Sequence, residues 1–195
     1  MHRALRRSII SGLLLALAFA GSVARADEYA DTIATFKNAG ESASFFDNSY
    51  GYAVFPTIGK GGLGFGAAHG KGRVYEKGKY VGDASMTQVT VGLQAGGQAY
   101  SQIVFFQDKR AFDEFTSGNF EFGAGVSAVA ITAAASGSAG TTGSSAGASG
   151  GKNDANTRGK YYKGMAVFTV AKGGLMYEAS LGGQKYKYKP RTSGK

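Results

Sequence analysis

Chemistry needs reactive side chains, and this sequence supplies few: it has no cysteine and two histidines, His2 and His69. The usual Cys/His zinc sites cannot be assembled from such a set, and no Asp-rich loop of regular spacing suggests calcium or magnesium. His69 has no partner implied by spacing and is read as a polar residue at a strand end. The pattern Gly-x-Ser-x-Gly occurs over 143–147 and again over 147–151. A nucleophile elbow would set that serine between a strand and a helix, with a histidine later in the chain. Both copies lie in a Gly/Ser-rich stretch, and no histidine follows either one. Gly61, Gly62, Gly64 and Gly66 invite comparison with a dinucleotide fingerprint, but no helix follows to supply its amides. Gly70-Lys71 lacks the upstream spacing and the Ser/Thr of a P-loop. Thirteen acids permit some glycosidase-like carboxylate pair, yet no spacing singles one out. No catalytic residue, metal or cofactor is expected.

The basic residues are more informative because they cluster. Lys60, Lys71, Arg73, Lys77 and Lys79 share one glycine-rich region, and Lys160, Lys163 and Lys172 attend a later one. Near the C-terminus Lys185, Lys187 and Lys189 alternate with Tyr186 and Tyr188. A strand there presents lysines on one face and tyrosines on the other. Such a strand could be an edge guarded by lysine against aggregation, or part of a surface for an anionic partner. Lysines near an anionic lipid surface contribute about 1 kcal/mol each, and tyrosine suits the headgroup zone. Lys60, Lys71, Arg73, Lys172, Lys185, Lys187 and Lys189 are therefore the candidate lipid-headgroup contacts.

The elements that must position these residues form an α+β pattern. Tyr29, Ile33, Phe36, Ala43 and Phe46 fall on one face of an amphipathic helix, with a break expected at 38–40. Short β-rich runs follow: 52–58, an alternation of Leu63, Phe65 and Ala67 with glycines, and a hairpin turn at Glu76-Lys77-Gly78-Lys79. Asp108 is a plausible N-cap for a helix that stops near Gly118. Residues 120–135 suit a buried strand, and 136–157 are Gly/Ser-rich enough for a flexible loop. Strands are expected again at 164–170, 175–181 and 184–189. Ala53-Val54-Phe55 before Lys60-Gly61-Gly62-Leu63 is echoed by Ala166-Val167-Phe168 before Lys172-Gly173-Gly174-Leu175. Each copy reads as strand, Lys-Gly-Gly turn, strand, which would set two matched hairpins side by side.

Residues 1–26 carry a secretory layout: Arg3, Arg6 and Arg7, a short apolar run, then Ala24-Arg25-Ala26 as a cut site. The run is too short for a membrane-spanning helix, which needs about 20 apolar residues. Export to a bacterial periplasm is the expectation, with 27–195 as a single domain. Cleavage would remove four arginines and leave 18 basic against 13 acidic residues, a balance of +5. Basic residues beside aromatics can also track single-stranded nucleic acid, but an exported chain would not meet that partner.

Ala53-Val54-Phe55-Pro56 with Gly59-Lys60-Gly61-Gly62, then Gly70-x-Gly72, resembles the signature of the SYLF domain. Phe112, Phe115, Ser117-Gly118, Phe122-Gly123 and Ala128-Val129-Ala130 are similar to a second landmark of that family, and Gly164-Met165-Ala166-Val167-Phe168 to its final motif. The resemblance covers about 29–189 and implies a phospholipid-binding module, with phosphoinositides and, for some members, actin as partners. An exported bacterial form would meet neither, so anionic phospholipid is the partner expected here. The expected fold is a glycine-rich, mainly antiparallel sheet, open or barrel-like, with an N-terminal amphipathic helix and a short second one. Non-catalytic lipid binding at a periplasmic membrane face is the functional expectation. Its rivals are an envelope structural or stress protein that binds protein or glycan, a carboxylate-dependent hydrolase, and a small outer-membrane barrel.

Overall fold

The structure is a computed structural model that describes residues 28–123, 128–131, 161–172 and 183–192. The leader expected at 1–26, the flexible loop expected at 136–157 and the strand expected at 175–181 lie outside those residues. Helix α1 (28–38) runs into two short turns, α2 (Gly40–Ala43) and α3 (Phe45–Asn48). The break comes at the expected place: Ala39 takes an extended backbone (φ −84°, ψ 121°), and the buried Ser42 hydroxyl donates back to the Phe36 carbonyl. This redirects the chain so that Phe36, Ala39 and Phe45 are all buried.

Two long strands dominate, β1 (Gly51–Glu76) and β2 (Lys79–Phe106), joined by a two-residue turn. Lys77 and Gly78 both have positive φ, 47° and 79°, as a type I′ hairpin turn requires. The expected turn at Lys60-Gly61-Gly62 does not form. Those residues stay in the ladder, opposite Gln98, Gly97 and Gly96. Glycine faces glycine there on both strands, so the ribbon bends instead of reversing, helped by a register shift between Leu63 and Phe65. His69 likewise sits inside β1, opposite Thr87, and not at a strand end.

The bend folds the ribbon's first half over its second. A Cβ on Gly70 would lie 2.5 Å from Ile58 Cγ1, and one on Gly72 would lie 2.6 Å from the Phe55 ring. The Gly-x-Gly pair is thus where two strand segments touch. The Lys77 amide also donates to the Tyr50 carbonyl at 3.0 Å, which brings the hairpin tip to the start of β1.

Helix α4 (Lys109–Thr116) follows β2, with the Asp108 carboxylate accepting from the Ala111 amide at 2.9 Å. Next come β3 (Phe120–Glu121), β4 (Val129–Ile131), β5 (Met165–Ala171) and β6 (Gln184–Pro190). The single buried strand expected at 120–135 does not form: β3 and β4 are separate short strands at opposite ends of the sheet, with Phe120 half-buried and Glu121 exposed. Among the described residues the sheet has six strands in the order β3-β6-β2-β5-β4, with β1 along the other side of β2. Pairing is antiparallel except between β4 and β5, and the sheet curls as a half-barrel. The two echoed segments flank one stretch of β2, since Val54 and Phe168 both pair with Ile103.

One core fills the fold of the ribbon, where Phe55, Ile58, Met86 and Tyr186 meet Phe112 and Phe115 of α4. A second lies under α1–α3, where Phe36 and Phe45 meet Phe105 and Phe168. Residues 103–106 are buried on both faces, which accounts for their unbroken apolar run.

Candidate functional site

The register of three strands assembles a basic sheet face. On β1 the side chains of His69 and Lys71 are exposed and Arg73 is half-buried, while Ala68, Gly70 and Gly72 are buried. β2 continues the pattern with Asp83 and Thr87 exposed, Ser85 half-buried, and Ala84, Met86 and Gln88 buried. On β6 Lys185, Lys187 and Lys189 are exposed and Tyr186 is buried, as the period-two alternation predicts. The pairings place Arg73, Asp83 and Lys189 in one row, Lys71, Ser85 and Lys187 in the next, and His69, Thr87 and Lys185 in a third. Neighbouring strands lie about 4.8 Å apart. A single patch therefore spans residues more than 100 positions apart in the chain.

The acids on this face are already engaged. Asp83 Oδ1 accepts from the Tyr80 hydroxyl at 2.7 Å, and Glu121 lies 3.6 Å from Lys185 Nζ. Burial, then the hydrogen bond to Asp83, pushes the Tyr80 pKa up to about 12. Lys71, Lys187 and Lys189 make no ion pair among the described residues. Arg73 is held by aromatics: its guanidinium lies 4.2 Å from the Tyr29 ring and 5.1 Å from the Tyr80 ring. Burial raises the Tyr29 pKa, and the Arg73 charge opposes that rise.

Two of the seven candidates fall elsewhere. Lys172 follows β5 and binds Glu28 at 3.4 Å and Thr57 at 3.0 Å, tying α1 to the sheet. Lys60 is half-buried at the bend of the ribbon, opposite Gln98. The sequence reading missed Arg191, whose guanidinium covers the Tyr80 ring at 5.2 Å and whose amide donates to the Val81 carbonyl. Its signal was the continuation of the Lys-Tyr alternation through Pro190.

Further along the same face the charge ends. Ala67 is exposed opposite Val89, and Phe65 comes next on the β1 side. A separate hollow of about 480 Å³ lies between α1–α3 and the hairpin turn, lined by Lys37, Phe46, Asp47, Tyr50, Tyr52 and Lys77. No group of three or more His, Asp or Glu side chains that could hold a metal occurs among the described residues. The two Gly-x-Ser-x-Gly sequences lie outside them. No described helix is long and apolar enough to cross a membrane.

Residues 87–192 match the model of the family Ysc84, described as "Las17-binding protein actin regulator". The chain is also 31% identical over 163 residues to beta cell expansion factor A of Aeromonas veronii. That match covers 80% of this chain and 53% of the relative, so the chain spans about half of the relative's length. The matched region takes in β6 and most of β2, two of the three strands that form the basic face.

Proposed function

This chain belongs to the Ysc84/SYLF family, and from that premise we propose that it binds anionic phospholipid, without catalysis, through the β1–β2–β6 face. The family is one associated with lipid binding and is generally non-catalytic. The observation that carries the reading is the row register of Lys71, Lys187, Lys185, Lys189 and Arg73, five cations gathered against Asp83 and Glu121. Lys71, Lys187 and Lys189, which make no ion pair among the described residues, contribute about 1 kcal/mol each, an attachment of roughly 10 mM that is weak and reversible. Lys172 belongs to the α1 latch in this reading, and Lys60 to the bend.

The membrane face would be that of a bacterial periplasm, reached through the leader at 1–26. The family description names an actin regulator, a partner that an exported chain would not meet. Co-sedimentation of the mature protein with vesicles tests the reading. Binding is expected to vesicles rich in phosphatidylglycerol, and to weaken sharply on phosphatidylcholine alone. Equal binding to both would refute it. A protein- or glycan-binding role would be favoured by a tyrosine-rich apolar patch without converging lysines, and here the lysines converge. A carboxylate hydrolase would be favoured by two free acids facing each other across a cleft.

A further inference from the structure

We infer that Phe65 and Val89 are the part of this face that enters the bilayer, below the level at which the lysines meet the headgroups. This deepens the lipid-binding reading and rests on it. Phe65 is 72% exposed, while every other described phenylalanine is buried or half-buried. The exposed large hydrophobic residues among those described are Phe65, Val89 (73%) and Tyr162 (49%). Two of the three share this face. Phe65 pairs with Val91 and Val89 with Ala67, so Phe65 and Val89 are diagonal neighbours across the β1–β2 pair.

Their position is set by the bend. The register shift between Leu63 and Phe65 places the phenylalanine at the corner where the ribbon folds, in line with Ala67, His69, Lys71 and Arg73. From Phe65 to Lys71 is six residues, about 20 Å along the strand. One face thus passes from apolar corner to basic field with only Ala67, His69 and Thr87 between. That order matches a bilayer seen from its surface, with anionic headgroups outside and hydrocarbon within. The basic field beside the corner argues for an anionic bilayer and against a second copy, whose own lysines would be brought toward these.

The chain has no tryptophan, so Phe65→Trp provides a single tryptophan, excited selectively over the tyrosines at the long-wavelength edge of their absorption. On vesicles of phosphatidylglycerol and phosphatidylcholine, its emission is expected to shift to the blue and to be quenched by brominated acyl chains. Tyr162→Trp, away from the face, should stay unshifted and unquenched. Phe65→Ser and, separately, Val89→Ser should each weaken vesicle affinity about tenfold for the lost apolar burial. Their melting temperatures should not move, since neither exposed side chain supports the core. Vesicle-bound Phe65→Trp protein that is neither shifted nor quenched overturns the insertion and leaves the lipid reading standing. No co-sedimentation of the unsubstituted protein overturns both. A lipid-free dimer that Phe65→Ser splits would reassign the corner to self-association.

Discussion

Gly72 shows how little room single residues have in this fold. The space where its side chain would lie is taken by the Phe55 ring at 2.6 Å and the Val54 carbonyl at 2.7 Å. Gly72→Ala must push one half of the ribbon off the other. A loss of about 1–3 kcal/mol is expected from overpacking of this kind, read as a lower urea midpoint; an unchanged midpoint would refute the close approach. The tyrosines make a second prediction. Burial pushes Tyr52 and Tyr100 up to about 12, and Tyr186, which is fully buried, well above the ordinary value of 10.0. Folding therefore favours their neutral forms. That stability is complete below pH 10 and is lost as pH rises toward 12 and beyond. Urea midpoints should fall over that window, and Tyr100→Phe should flatten part of the decline.

At the scale of elements, what could be read early was local. The Lys185, Lys187 and Lys189 alternation, the Asp108 cap, the break near Ala39 and the Lys77-Gly78 turn each depend on residues a few positions apart. All appear in the structure. The Lys60-Gly61-Gly62 segment misled because glycine licenses a turn and a bend alike. What decides between them is the pairing of Gly61 with Gly97 and Gly62 with Gly96, which is not local. For the same reason the seven candidates could be named as basic residues but not sorted. Only register separates Lys71 and Lys187, which share a row, from Lys172, which holds Glu28. Arg191 and Phe65 escaped notice because exposure and ring contacts are tertiary facts. The sorting is itself testable. Lys71→Ala combined with Lys187→Ala should lower affinity for anionic vesicles about 30-fold. Lys172→Ala should leave it nearly unchanged and cost about 1 kcal/mol of stability, as a partly exposed surface ion pair does. The reverse ranking would move the site to the α1 side of the molecule.

For the whole molecule, the proposed export would also set the charge. If the leader is cleaved after Ala26, intact mass of the exported protein should correspond to a chain beginning at Asp27, with four fewer arginines. A mass that retains residues 1–26 would refute the address. Screening lengths fall from about 10 Å at 0.1 M salt to 3 Å at 1 M. Binding by the lysine rows should weaken accordingly, leaving whatever Phe65 and Val89 hold by apolar contact. β2 is what joins these two ends of the face to the rest of the protein. Its first half pairs with β6 and its second with β5. Gly82 therefore waits for Pro190, 108 residues later. Contacts so distant in the chain close slowly, and until β6 arrives one side of β2 presents an unpaired ladder to other chains. The strand that unifies the native sheet is thus also the point at which refolding is expected to be slow and open to aggregation.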